Sequence, residues 1–198
     1  MVGFNIVGYL IFAFVTSITP GPNNYLLFSH GKAFGLNDSR KLMFGIFAGF
    51  FTMVYIAGYG IAEIVTNNNT IGLILKIVGS AWLLYLAFVL SKLNSEIKAE
   101  NPIKLSFPQA YLMQFINPKA WVMAITSASA FMPHLGNIHW NVFILAFTFN
   151  LVGVPCMFVW IFFGDLISKL IKSEKANHIL GYTLFALMII SIAMIWIE

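Results

Sequence analysis

Charged side chains are scarce in this chain of 198 residues: Asp, Glu, Lys and Arg make up 9%, against 60% hydrophobic residues. Soluble domains carry about 25% charged residues, so that class is excluded and the chain reads as an integral membrane protein. No stretch is polar and long enough for a separate soluble domain, and residues 1–198 read as one membrane domain. Acidic residues number seven, and none lies deep in an apolar run. A buried carboxylate relay for protons is therefore not visible. The single cysteine, Cys156, rules out an intramolecular disulfide, and its apolar surroundings suit packing. Signatures of an intramembrane enzyme are missing too: no G-x-S-G nucleophile, no deep aspartate pair, no H-E-x-x-H. His134 and His139 lack helical ligand spacing, so neither a metal nor another cofactor is expected. A net charge of +4 could suggest nucleic acid in a soluble chain. Here the basic residues flank apolar runs, so the lipid bilayer is the expected partner and nucleic acid is not.

What is abundant is apolar length. A span needs about 20 mainly apolar residues, and six candidates occur at 4–28, 42–65, 71–91, 107–131, 141–165 and 178–197. No Lys or Arg precedes the first run, so it reads as a retained span rather than a signal peptide. Loop charges sort by side. Lys32, Arg40 and Lys41 separate spans 1 and 2; Lys92, Lys98 and Lys104 separate 3 and 4; Lys169, Lys172 and Lys175 separate 5 and 6. The other two connections, "TNNNT" and "PHLGNIHW", contain neither Lys nor Arg. By the positive-inside rule both termini face away from the cytoplasm. Trp140 and Trp196 fall near outer ends and Trp160 near an inner end, as an interfacial belt requires. Trp82 and Trp121 fall inside their spans, which suits helix packing or, less simply, a substrate path.

Two spans carry polar breaks. The first contains "TSITPGPNN", where Pro20 and Pro22 lack an N–H and would free the carbonyls of Thr16 and Ile18. In the fourth, "QFINPKAW", Pro118 would free the carbonyl of Gln114. In hydrocarbon such carbonyls need protein or a wet cavity as partner. Pro20 and Pro118 are 98 residues apart, about half the chain, and "KIVG" at 76–79 faintly echoes "HILG" at 178–181. Three spans per half force a duplicated half to insert upside down. The expected fold is therefore all-α, with six transmembrane helices in two inverted repeats, about 1–98 and 99–198. Matching broken spans in two such halves point to a transporter site at the repeat interface. Gly45 and Gly49 form G-x-x-x-G on span 2, which fits packing against the broken spans or, as an alternative, a homodimer seam.

These residues resemble the LysE/RhtB family of bacterial amino-acid exporters, which carry Pro-Gly-Pro-Asn in the first span and Asn-Pro-Lys in the fourth. Here the motifs are Pro20-Gly21-Pro22-Asn23 and Asn117-Pro118-Lys119, accompanied by "GIFAG" and "LKIVGSAWLLYLAF". The resemblance runs over nearly the whole chain. It implies a secondary exporter in the bacterial inner membrane, moving a small neutral amino acid or derivative out of the cytoplasm, coupled to protons. The chain looks most like the branch exporting cysteine or O-acetylserine. It departs at Trp82, where relatives often show tyrosine, and that bears on selectivity. Pro20, Gly21, Pro22, Asn23, Asn24, Gln114, Asn117, Pro118 and Lys119 are then the expected substrate-binding residues.

Lys119 is the most informative ionisable group, since a charge deep in a span costs a few kcal/mol on insertion scales. It could hold a substrate carboxylate or pair with carbonyls freed by the break. Lys76 can snorkel, Glu63 and Asp165 fit interfacial solvation, and His178 sits at the inner start of span 6. A proton would have to use a terminal carboxylate, His178, Lys119 or the substrate amine. A channel, or an assembly subunit without transport, is the competing reading. Orientation is directly measurable: cysteines at positions 68 and 98 are expected to differ, with Asn68→Cys labelled from outside intact cells and Lys98→Cys protected. The reverse pattern would overturn the assigned topology.

Overall fold

The computed structural model describes residues 5–61, 67–68, 104–170 and 173–197, with single positions 70, 73, 74, 77, 80, 81 and 84. Described elements are helical throughout. Helix α1 is Ile6–Ile18, α2 Pro22–Asp38 and α3 Arg40–Ile56, continued by a wider π turn over Ala57–Ile61. After the third expected span, α4 is Phe107–Phe115, α5 Pro118–Phe131, α6 Ile138–Leu170 and α7 Glu174–Ile197. Two described stretches, Arg40–Gly60 and Ile138–Leu170, are long and apolar enough to cross a membrane. Taken as one broken span, α1 and α2, bent by 52°, make a third. Lys76, Glu63, Trp82 and nearly all of span 3 lie outside the described residues.

Local chemistry explains most boundaries. Asn5 caps α1 by accepting from the Gly8 N–H. Ser106 and Gln109 form a capping box at the start of α4. The expected breaks occur where the prolines stand: α1 stops at Ile18, α2 restarts at Pro22, α4 stops at Phe115 and α5 restarts at Pro118. Each proline opens a new helix, the position at which its missing N–H costs least. Pro155, by contrast, lies inside α6, which stays continuous.

One expected loop proved helical. Residues 29–41 read as a connection between spans, yet α2 stays helical to Phe34 and, past a kink at Gly35, adds a last turn to Asp38. The turn is made only at the end, where Gly35 takes φ 74°, and Ser39 Oγ donates to the Gly35 carbonyl at 2.7 Å. Glycine supplies that left-handed conformation without a Cβ penalty.

Glycines also set the helix spacing. On α3, a Cβ at Gly45 would stand 2.6 Å from Ala110 Cβ, and one at Gly49 2.6 Å from the Tyr111 carbonyl oxygen. The G-x-x-x-G face is therefore filled by α4 of the same chain. Helices α2 and α6 meet backbone to backbone: a Cβ at Gly31 would collide with the Ile161 carbonyl, and one at Gly164 with that of Phe28. Among the described residues, three apolar clusters fill the interior, and two of them flank the breaks. One joins Tyr9, Phe50, Met53, Leu145 and Phe149; the other joins Leu27, Leu42, Ile46, Met157 and Ile161. Basic groups gather at one end, where Lys104 pairs with Asp38 and Lys169 with Asp165, each at 2.7 Å.

The glycine contacts can be tested in purified protein. Gly31→Ala or Gly164→Ala is expected to cost about 1–3 kcal/mol through overpacking, read as a lower melting temperature in detergent. Gly153→Ala should leave it unchanged, because its Cβ would meet Ser17 Oγ at an ordinary 3.5 Å.

Candidate functional site

The two breaks lie against each other, and side chains from each satisfy the other. Lys119 Nζ, from the first turn of α5, reaches the end of α1. It donates to the Thr19 carbonyl at 3.0 Å, to Thr19 Oγ1 at 2.9 Å and to the Pro20 carbonyl at 2.9 Å. An ammonium has three protons, and all three are engaged. A cation at the C-terminal end of α1 also suits the negative end of its dipole. The lysine stem passes so close that a Cβ on Gly21 would stand 2.9 Å from Lys119 Cδ. That contact gives glycine its reason at position 21.

Amides join the breaks a second time. Asn23 Nδ2 donates to Gln114 Oε1 at 2.7 Å, and Gln114 Nε2 returns a bond to Asn23 Oδ1 at 3.1 Å. Asn117 Nδ2 donates to the same Asn23 oxygen at 3.1 Å, while Asn117 Oδ1 accepts from the Ala120 N–H at the start of α5. Asn24 Nδ2 donates to the carbonyls of Ser17 and Thr19, both at 2.7 Å. Gln114 is fully buried, so these partners replace water it cannot reach.

The carbonyls expected to be free are each taken. Thr16 accepts from Thr19 Oγ1 at 3.1 Å, Ile18 from Trp160 Nε1 at 3.2 Å, and Gln114 from the Asn117 N–H at 3.0 Å. Trp160 is therefore no interfacial anchor: its indole caps the first break, because the Ile18 carbonyl offers the partner an indole N–H needs when partly buried. Trp121 likewise packs inside and donates to the Phe115 carbonyl at 2.9 Å. Trp140 is exposed, in line with a belt position.

At the level of the breaks, between the two apolar clusters, lies a cavity of about 50 Å³. A single water needs roughly 10–15 Å³ on this measure, so a few waters or a small solute fit. Of the nine expected site residues, Gly21, Pro22, Asn23, Asn24, Asn117 and Lys119 line it. Pro20, Gln114 and Pro118 do not; they stand behind the wall, Pro20 as an acceptor for Lys119 and Gln114 as the amide partner of Asn23. The wall also takes Ser17 from α1, Phe50 from α3, and Phe149, Asn150, Gly153 and Met157 from α6. Ser17 stands in the first break motif and Asn150 is a polar side chain inside span 5, both signals in the sequence; Phe50, Phe149, Gly153 and Met157 carry none. Among the described residues no group of three or more His, Cys, Asp or Glu could hold a metal ion.

One buried titratable group had also gone unnoticed. His30 is buried on α2; its Nδ1 meets Ser39 Oγ at 2.9 Å. The Ser39 proton is already given to Gly35, so Nδ1–H donates and Nε2 has no partner among the described residues. His178 is exposed.

Comparison with known proteins identifies relatives over most of the chain. The family model for LysE type translocators matches residues 14–197. Cysteine/O-acetylserine efflux proteins of Salmonella choleraesuis (strain SC-B67) and Salmonella typhi are 29% identical over 179 residues, covering 87% of this chain and 90% of theirs. The one from Klebsiella pneumoniae subsp. pneumoniae is 27% identical over 168 residues, covering 83% and 84%. No solved structure matches the chain.

Removing the Lys119 cation takes away three charge-assisted hydrogen bonds at the break. Hydrogen bonds to charged groups contribute about 1.5–3 kcal/mol each, so Lys119→Met is expected to lower the melting temperature in detergent clearly. An unchanged value would mean that the break is capped by other means.

Proposed function

The chain belongs to the LysE type translocator family, a family of membrane transport proteins and not of enzymes, and on that premise we propose that it exports a small neutral amino acid or derivative. Export is secondary active, coupled to protons, from the cytoplasm across the bacterial inner membrane. The observation that carries the reading is the small cavity between two facing helix breaks, apolar over most of its wall with a few polar side chains. Paired breaks of this kind are where transporters bind substrate and where half-helices move during alternating access. The efflux activity named for the Salmonella and Klebsiella relatives favours cysteine or O-acetylserine as cargo.

In the proposed architecture six spans form two inverted three-helix repeats, with both termini outside. The gathering of Lys104 and Lys169 at the end bearing Asp38 and Asp165 supports that orientation. The substrate site comprises Gly21, Pro22, Asn23, Asn24, Asn117 and Lys119 at the wall, with Pro20, Gln114 and Pro118 behind it. A zwitterion suits such a site. The start of α2 carries about half a positive charge and favours a carboxylate, while neutral oxygens nearby can accept from an ammonium. A homodimer is not required, because the small-residue face of α3 is already filled by α4.

Counterflow in proteoliposomes tests the whole reading. Vesicles preloaded with unlabelled cysteine or O-acetylserine should accumulate the labelled compound transiently, and Pro20→Ala/Pro22→Ala vesicles should not, although that protein inserts with its helices intact. No counterflow with any amino acid in a broad panel would refute export; wild-type rates in the double variant would remove the breaks from the mechanism.

A further inference from the structure

The hydrogen bonds of the two breaks leave few groups for a ligand. Lys119 is committed to Thr19 and Pro20, and the Asn23, Gln114 and Asn117 amides are committed to one another. The carbonyls of Thr16, Ser17, Ile18 and Gln114 each have a donor. Among the described residues, an incoming ammonium therefore finds no vacant backbone carbonyl at the breaks, and only side-chain oxygens remain.

Vacant acceptors of that kind lie on the cavity wall. Asn150 on α6 is only 3% exposed, and its Nδ2 donates to the Ala146 carbonyl at 2.9 Å. That bond orients the amide and leaves Oδ1 without a hydrogen-bond partner among the described residues, at a position that lines the cavity. Asn24, 7% exposed, is in the same condition: its Nδ2 is held by two carbonyls, and its Oδ1 makes no bond among the described residues. The third such group is the Ser17 hydroxyl, which faces Gly153, one turn along α6 from Asn150.

We propose that the substrate ammonium is held by Asn150 Oδ1, Asn24 Oδ1 and Ser17 Oγ, and that Asn150 is the specificity-determining residue. This rests on the export reading above. Three neutral oxygens match three N–H donors in number. Among the described residues no Asp or Glu lines the cavity, so none of them balances a second positive charge. The substrate must then bring its own carboxylate and carry no further cation. Phe50, Met123, Phe149 and Met157 bound the remaining space with apolar surface, which suits a short uncharged side chain. Diamino acids are excluded by charge rather than by size.

Counterflow kinetics with O-acetylserine test this in full-length protein. Asn150→Leu keeps the volume and removes the acceptor, so KM should rise about tenfold or more, as when a site built for a polar group loses its partner. Melting temperature and monodispersity should stay near wild type. Asn150→Asp supplies the missing negative charge, and 2,3-diaminopropionate should become a competitor, although it does not compete in the wild type. A merely structural asparagine would not yield that gain. Ser17→Ala, a smaller change, should raise KM about threefold and serves if Asn150→Leu fails to fold. Wild-type KM in folded Asn150→Leu, or in Ser17→Ala where the former misfolds, overturns the assignment while leaving export intact. Absence of counterflow in the wild type overturns export, and this assignment with it.

Discussion

A backbone carbonyl in hydrocarbon must have a donor, and this chain interrupts two helices where water does not supply one. Everything at the centre of the molecule follows from that constraint. Two helix ends opened by proline would each be costly alone. Placed against each other they become complementary: α1 presents carbonyls at its C-terminal end, and α5 presents a lysine in its first turn. The lysine, itself costly in a span, is satisfied by the same carbonyls that need it. Neither break is stable without the other, so the two halves of the chain are coupled through one ammonium and one amide pair.

The surrounding packing makes that pairing possible. Bonds near 3 Å between residues about a hundred positions apart require helices that approach closely and reproducibly. Gly31 and Gly164 let α2 lie on α6, and Gly45 and Gly49 let α3 lie on α4. Lacking these four glycines, the broken helices would stand further apart, and Lys119 and Gln114 would fall short of their partners. Small residues in membrane helices commonly serve such approach; here their consequence is a polar site assembled within an apolar bundle. The cavity survives between the two apolar clusters because the breaks fill that level with backbone and amides rather than with large side chains.

Much of this was legible in the sequence, for an identifiable reason. Pro20, Pro22 and Pro118 act locally, through a missing N–H, so the positions of the breaks follow from the residues alone. Local chemistry also accounts for what was misjudged. The stretch 29–38 looked like a loop because Lys, Asn and Asp sit in it, yet nothing before Gly35 prevents helix, and α2 continues. The roles of Trp160, Ser17 and Asn150 could not be recognised beforehand. They come from which helix faces which, a tertiary fact that a residue's place in the sequence does not reveal. Pro155 marks the other limit: a proline of the same kind bends nothing enough to end α6, so proline alone does not make a break. At both broken sites the proline is joined by asparagine and flanked by a polar group able to take over the carbonyls.

Closure of the network carries a mechanistic consequence for the proposed exporter. The one ammonium and the paired amides of the two breaks are already bonded without substrate, so the breaks hold together when the cavity is empty. A substrate can shift such a structure only by interacting better with a second arrangement than with this one. An amino acid is suited to that, because its two ionic groups can replace bonds of both signs at once. On the proposed assignment its ammonium would take the vacant oxygens on the cavity wall, and its carboxylate would compete with the Thr19 and Pro20 carbonyls for the Lys119 ammonium. Once Lys119 changes partner, the end of α1 loses its cap and α5 is no longer tied to it. The two half-helices can then separate, and the bond that holds the molecule together when empty is the one the cargo is chemically equipped to exchange.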